Sequence, residues 1–579
     1  MTFRPTIVVV AVAIIPFVQA PTLAQAPHED SAFGIFGAFA ANEYGYFQGR
    51  MGFGNDQYWA WAENHFRALG AYWTRSNMQL LWDWVEPTLG AGYNWNSLGL
   101  TDGIVRRVYA PGNAVHWLGV FHEGGGPIPP PPPMQALRNP LSYPNEYSAF
   151  VRAAVERYDG DGIGDADANV RVKYWQAGNE IPGWQATGRS VQDYVHYVRM
   201  VRQATQQADP ESKLVLIATT SGLGVDLWLT QIIDALAAER AFDVIDIHHW
   251  GAAQTWQMTG VPQYRQRLDS LGLTDVQIWS CEHGTWQGQP TNQPSQTEQD
   301  QARSLVKRYL YNLNNGLNKL FWNNLMEFYW FNGQSGSIFN SMGLITDGQG
   351  PGEDSTRFNT ARVAYWTYQL LASRIDVDRS TRLGLMPEVY VQNQAYGYAY
   401  QWRNSSRKLY VLWSESGTRS VTFSVGTPTA RLTNLITDRF GTILEQRDIA
   451  AVNGRISTDI GIDPVIIEEL PLPLPGDFDG DGDVDLADFA QFEICFTGPG
   501  GTLALGCEPG DFDGDDDIDC DDWAQFVLAW TDPGQPPQLA QCASHSIPAV
   551  SQWGSASMAL VLLIAARLVL RRGRSVRTP

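Results

Sequence analysis

Two glutamates at the ends of apolar runs raise the question of chemistry. Residues 172–184 read VKYWQAGNEIPGW, a run that closes on the adjacent amide and carboxylate Asn179-Glu180. Glu282 closes a similar run, in IWSCEHGTW, 102 residues later. If both runs are strands of one parallel barrel, three βα units separate them and their carboxyl ends share a face. Two carboxyls held about 5–5.5 Å apart can open an acetal with retention: one protonates the leaving oxygen while the other attacks the anomeric carbon. A single glutamate at a strand end says little, because it can be solvated and inert. The pair, with Asn179 in front of the first member, says much more.

A second acidic group has a different pattern. GDFDGDGDVDLADFAQF (476–492) recurs as GDFDGDDDIDCDDWAQF (510–526). Calcium loops present oxygens at positions 1, 3, 5, 7, 9 and 12, with a turn-permitting glycine at 6. In the first repeat those positions are Asp477, Asp479, Asp481, Asp483, Asp485 and Asp488, with Gly482 at the turn. In the second they are Asp511, Asp513, Asp515, Asp517, Asp519 and Asp522, with Asp516 where glycine is expected. The alternative, an acidic solvated tail, does not account for two loops in register. A third acidic cluster, Asp159, Asp161 and Asp165 in YDGDGIGDADANV, reads equally as a calcium site or as an ordinary Asp/Gly turn, because no bidentate carboxylate falls at its twelfth position.

The elements that must position the glutamates alternate along the chain. Eight β-rich runs are expected: FGIFGAF (34–39 with its flank), AYWTRS (71–76), AVHWLGVF (114–121), VKYWQAGN (172–179), KLVLIATT (213–220), FDVIDIHH (242–249), VQIWSCE (276–282) and KLFWNNL (319–325). Helix-compatible stretches lie between them, and the spacing suits a (β/α)₈ barrel at roughly 30 residues per unit, more with insertions. A doubly wound open sheet is the competing arrangement, but no Gly-rich phosphate loop follows the first strand. GGGPIPPPPPM (124–134) reads as a stiff polyproline excursion in the longer connection before strand four. From 380 to 470 short alternating runs predict a β-sandwich module, and PLPLP (471–475) a linker.

Bulk properties set limits. Sixty-one acidic against forty basic residues give a net charge of −21, which argues against nucleic acid as a partner. The 22 Trp, 23 Tyr and 24 Phe supply flat apolar faces that suit both core packing and sugar stacking. Residues 1–26, with Arg4, an apolar run from Ile7 to Phe17 and Ala24-Gln25-Ala26, read as a secretory signal. Disulfides then become available. Cys495 and Cys507, flanking a Gly/Pro-rich segment, are the preferred pair; Cys520 and Cys542 come second, leaving Cys281 as a small buried side chain.

With these residues in view, the region from 30 to 470 resembles glycoside hydrolase clan A, nearest to families 39 and 5. The resemblance implies a (β/α)₈ TIM barrel over 30–375 and a retaining glycosidase, with Glu180 as acid/base and Glu282 as nucleophile. Asn179 would bond the sugar 2-hydroxyl, and Arg75 in YWTRSN would match the clan's strand-two arginine that holds the nucleophile. His248 in DIHHW would match a substrate-site histidine. Trp250 stands where the clan commonly has tyrosine. Alternatives stay open: Arg75 as a core ion pair, His249 in place of His248, and Trp184, Trp250, Trp286 and Trp322 as packing residues rather than sugar platforms. His122 and Glu123 are candidates for subsites only.

Residues 476–530 resemble a type I dockerin, which implies a small α-helical domain around two structural Ca²⁺ and a cohesin-type partner. SIPAVSQWGSASMALVLLIAARLVLRRGR resembles bacterial C-terminal sorting signals, which implies processing or anchoring of residues 547–574 at the cell envelope; a plain membrane anchor is the alternative. The sequence thus predicts a secreted, envelope-associated hydrolase of polysaccharide or oligosaccharide that needs no cofactor for catalysis. A non-catalytic carbohydrate-binding or scaffold-associated surface protein is the second reading.

Overall fold

The computed structural model describes residues 28–37, 55–75, 80–96, 101–122, 137–327, 337–348, 355–471, 474–479, 483–504, 506–532, 536 and 538–542. The expected signal, the polyproline excursion with Glu123, Asp481 with Gly482, and the C-terminal sorting segment lie outside these residues. The chain divides into two compact units, Met1–Glu469 and Leu470–Pro579.

In the first unit, each of the eight apolar runs contains a barrel strand: β1 (Phe33–Phe36), β2 (Trp73–Arg75), β3 (His116–Phe121), β4 (Tyr174–Ala177), β5 (Lys213–Val215), β6 (Val244–Asp246), β7 (Gln277–Gly284) and β8 (Lys319–Asn323). Neighbours in sequence pair in parallel, and β8 pairs back onto β1 through Phe33↔Leu320 to Phe36↔Asn323, so the barrel is closed. At least one helix follows each strand, from Asn55–Leu69 after β1 to Val363–Ile375 after β8. The sequence marks where these helices start: Ser190 with Asp193, and Thr297 with Asp300, form capping boxes that satisfy otherwise orphaned backbone N–H groups.

Side chains fill the barrel interior with strand period two. Trp73, Leu118, Tyr174, Val215, Val244, Trp279, Cys281 and Phe321 form one buried cluster. Cys281 is the free, buried cysteine. Two residues further on, the same parity carries Arg75 on β2, Gln176 on β4 and Asp246 on β6, all fully buried. The interior therefore changes from apolar to ionic toward its carboxyl end. Outside the barrel, Trp175 packs over Gly119, where a Cβ would stand 2.6 Å from the indole ring.

From Ser380 to Glu469 the chain forms a β-rich module of a six-stranded and a two-stranded sheet, all antiparallel. It packs on the barrel through aromatic faces: Trp256 meets Tyr396 and Trp413 edge-on at 5.2 and 6.0 Å. The partly buried pair Lys307–Glu415 at 3.0 Å lies beside this contact.

The second unit holds two ten-residue helices, Leu486–Cys495 and Cys520–Ala529. Its core is small, built around Val484, Phe492, Ile518, Trp523 and Phe526. Disulfides join Cys495 to Cys507 and Cys520 to Cys542, the pairings the spacing predicts. A core of this size benefits from covalent support. No described helix in the chain is long and apolar enough to cross a membrane.

Candidate active site

Each glutamate is brought to the barrel mouth by a local backbone device. Gly178, with φ of 88°, adopts a left-handed conformation between β4 and Asn179, which glycine takes at no steric cost. Glu180 then bridges to Ala218, and the amides of Ala218 and Ile181 zip the turn to the continuation of β5. Glu180 is the N-cap of helix Ile181–Ala186, yet its side chain makes no capping bond. On β7 the pairing with β8 slips between Ser280 and His283. Strict alternation after the inward residues Trp279 and Cys281 would turn Glu282 outward; the irregularity turns it in, as bulges beside active sites do.

The result is one cluster. A carboxylate oxygen of Glu180, one of Glu282 and a ring nitrogen of His248 all lie within 4.8 Å of one another. Arg75 donates from Nη1 to Glu282 Oε1 at 2.6 Å, from Nη2 to Asn179 Oδ1 at 2.7 Å and from Nε to Gln176 Oε1 at 2.8 Å. His248 Nδ1 lies 2.8 Å from Glu180 Oε1 and 3.8 Å from Glu282 Oε1, and Nε2 lies 3.1 Å from Asp246 Oδ2. Glu180 keeps 24 % of its side chain exposed while Glu282 keeps 8 %, so the first faces the opening and the second lies at the floor.

Electrostatics follow from this burial. Loss of solvent pushes the Glu282 carboxyl above the ordinary range, and the Glu180 charge adds to that; His248 and Arg75 pull it back. Burial pushes His248 down, but the charges of Glu282 and Asp246, with hydrogen bonds from the ring to Asp246 and Glu180, lift it to about 10. Glu180, Glu282 and His248 thus form one interlinked network, with a carboxylate facing each ring nitrogen of the histidine.

The remaining expected residues fall into place. His249 is the core histidine: it meets the Thr255 carbonyl through Nε2 at 2.7 Å, and burial lowers it to about 3. Trp322 is a correction to the sequence reading. It is fully buried and spends its indole N–H on the Met342 carbonyl at 3.0 Å, so it is packing and not an open sugar platform. Trp184 and Trp286 are buried in the same way, on Ser190 and Pro294 carbonyls. Trp250 alone of the four is half-exposed, with its ring edge-on to His248 at 5.4 Å. Gln176 and Asp246 were not singled out from the sequence. Period-two counting inward from Glu180 and His248 finds both.

The acidic loops of the second unit are also gathered. Oxygens of Asp477, Asp479 and Asp488 lie within 4.8 Å of one another, as do those of Asp483, Asp485 and Asp488, and those of Asp511, Asp513 and Asp522. Asp488 and Asp522 are buried, and each accepts three backbone N–H bonds of its own loop. Asp516 has φ of 67°, so the chain takes at position 6 the turn for which such loops use glycine. Hard oxygen donors at this density fit Ca²⁺. In the first unit, oxygens of Asp159, Asp161 and Asp165 also lie within 4.8 Å of one another, and these carboxylates accept backbone N–H bonds of their own turn, as both a calcium loop and an Asp/Gly turn do.

No protein-family model matches the chain, and no curated protein matches it in sequence. Among solved structures, a family 39 glycoside hydrolase from Bacteroides cellulosilyticus WH2 aligns with a TM-score of 0.50 at 17% identity, over 71% of this chain and 78% of that one. A glucosidase from Croceicoccus marinus gives 0.49 at 14%, over 70% and 91%. A monomeric β-xylosidase from Caulobacter crescentus gives 0.48 at 12%, over 71% and 92%. The first of these similarities establishes a shared fold, the closed barrel with a β-rich module.

Proposed function

We propose that the first unit is a retaining glycoside hydrolase of polysaccharide or oligosaccharide. The observation that carries this reading is the Glu180–Glu282 pair, within 4.8 Å through carboxylate oxygens at the open end of the barrel. Carboxyls this close suit retention, which uses about 5–5.5 Å, whereas inversion uses about 6.5–9.5 Å to admit a water. The fold shared with a family 39 enzyme agrees with it.

The geometry divides the roles. Glu282 Oε1 is held by Arg75, so Oε2 is the oxygen that attacks the anomeric carbon. Glu180 Oε1 is held by His248, so Oε2 carries the proton passed to the leaving oxygen. The C–O bond breaks as the ester to Glu282 forms, and the departing alcohol keeps that proton. Water then gives its proton to the Glu180 carboxylate while its oxygen bonds the anomeric carbon, and the ester bond breaks. Asn179, oriented by Arg75, bonds the sugar 2-hydroxyl, a contact that strengthens in the transition state. Trp250 borders the sugar beside His248.

For the second unit we infer two structural Ca²⁺. Asp477, Asp479, Asp481, Asp483 and Asp488 would hold one, and Asp511, Asp513, Asp515, Asp517 and Asp522 the other, in a dockerin-like domain for a cohesin-type protein. Export by the N-terminal signal and attachment at the envelope through residues 547–574 complete the reading, supported by the sequence features above.

A polysaccharide panel with anomer detection by NMR tests the enzyme. The first product should keep the configuration of the substrate. An inverted first product would contradict Glu282 as nucleophile, and binding without turnover would make the barrel a carbohydrate-binding module.

A further inference from the structure

Beneath the two glutamates lies a layer whose chemistry the reaction does not require of a barrel. Residues of this parity are usually bulky and branched. Here they are a cation, an amide and an anion, Arg75, Gln176 and Asp246, each wholly enclosed. Burying such groups is costly unless every one is hydrogen-bonded, and the bonds form a continuous chain. Glu282 Oε1 accepts a hydrogen bond from Arg75 Nη1, and Arg75 Nε donates to Gln176 Oε1. Gln176 Nε2 donates to Asp246 Oδ2 at 2.8 Å and to the Leu216 carbonyl at 3.1 Å. Asp246 Oδ1 accepts the Cys281 amide at 2.9 Å, and Oδ2 takes His248 Nε2, whose Nδ1 reaches Glu180 Oε1. The two glutamates are thus joined under the sugar by a strap crossing β2, β4 and β6.

We propose that Gln176 and Asp246 are positioning residues of the glycosidase reaction: Asp246 holds His248 with a proton on each ring nitrogen, and Gln176 ties that pair to Arg75. The assignment rests on the function proposed above, which it deepens. Its consequence is directional. A neutral His248 with a lone pair at Nδ1 would accept the proton of Glu180 and divert it from the leaving group. With Asp246 fixing Nε2–H, and Nδ1–H pointing at Glu180 Oε1, the acidic proton can sit only on Oε2, toward the substrate. The titratable groups facing His248 are Glu180, Asp246, Glu282 and His283, and Arg75 bonds the Glu282 oxygen that His248 also approaches. Of these only Asp246 bonds Nε2.

Asp246→Asn in the full chain is the test. Loss of the strap should cut kcat roughly 100-fold for substrates with poor leaving groups, with KM little changed. Dinitrophenyl glycosides, whose departure needs no acid, should be far less affected. A merely structural defect would slow both substrates alike, and that result overturns the proposal. NMR of nitrogen-labelled histidines supplies a second readout that needs no substrate, with His248→Asn to assign the signal. Wild-type His248 should keep both ring protons at about pH 8, well above the ordinary histidine range; a singly protonated ring there overturns the proposal. If Asp246→Asn does not fold, the wild-type spectrum and Gln176→Met decide, the latter expected to show the same leaving-group selectivity. A wild type that cleaves no glycoside but shows the doubly protonated ring would defeat the proposed function and leave the strap standing.

Discussion

The barrel mouth and the C-terminal loops both crowd carboxylates, and they resolve the crowding in opposite ways. At the mouth, Glu180, Glu282 and Asp246 come from three places in the sequence, and each meets a side-chain cation or its relay: Arg75 or His248. In the loops, the acidic residues come from a dozen consecutive positions, and the bonds they make are mainly to their own backbone N–H groups. Solvent loss and the nearby carboxylates Asp522 and Asp515 push Asp513 above the ordinary range. The first cluster meets two side-chain cations within the protein, Arg75 and His248. For the second, the reading proposed above supplies a cation from outside.

Substitutions should separate the two cleanly. Glu282→Ala removes the attacking group and should cost roughly 10⁴-fold or more in kcat. Added azide should restore turnover of an aryl glycoside and give the glycosyl azide of inverted configuration. The same change should leave calcium binding, read by calorimetry, untouched. Arg75→Lys should follow, with about a 10²–10³-fold loss in kcat, because an ammonium cannot reproduce the three-way fork to Gln176, Glu282 and Asn179. Asp488→Ala should abolish one calcium site and leave kcat for a soluble oligosaccharide at the wild-type value. A matching fall in kcat would mean that the two regions are not independent.

The contrast also explains what could be read from the sequence. The clustering of the loop carboxylates was legible because the residues are local: spacing alone places Asp477 and Asp488 in one loop. The eight strands were legible from apolar runs, although β5 and β6 end earlier than those runs suggest. Glu180 and Glu282 stood out because carboxylates seldom end apolar runs. Asp246 and Gln176 were hidden inside such runs, where only the barrel's inward parity reveals them. Trp322 was misread because a position near a strand end does not say which way a side chain faces. Glu282, by contrast, faces the site only through a pairing irregularity that no spacing announces.

Two smaller effects sharpen the comparison. Calcium at about 100 times its dissociation constant should stabilise the second unit by roughly 2.7 kcal/mol per site. Calorimetry with and without chelator should move one transition and spare the barrel's. The barrel should answer to pH instead. His248 is raised to about 10 in the folded chain, against about 6.5 when unfolded. Its contribution is therefore whole below about pH 6.5 and is lost as pH rises toward 10. Thermal melts of the calcium-loaded protein over that window should fall for wild type and flatten for His248→Asn; parallel curves would remove the imidazolium from the account.

The smallest effect lies inside the second unit. Asp516 adopts φ of 67° at the loop position where the first repeat has Gly482. A left-handed conformation costs a side-chain-bearing residue roughly 1–2 kcal/mol, and aspartate tolerates it better than most. Asp516→Gly removes that cost but frees the unfolded chain, an opposing effect of about 0.4–1 kcal/mol. It also deletes one negative charge beside the proposed ligands. Net stability without metal should rise by about 0–1.6 kcal/mol, the difference of those two effects. Affinity for Ca²⁺ should change little, because position 6 supplies a turn and not a ligand. If calorimetry instead shows the second site lost in Asp516→Gly, then Asp516 is itself a calcium ligand, and the two loops bind metal by different rules.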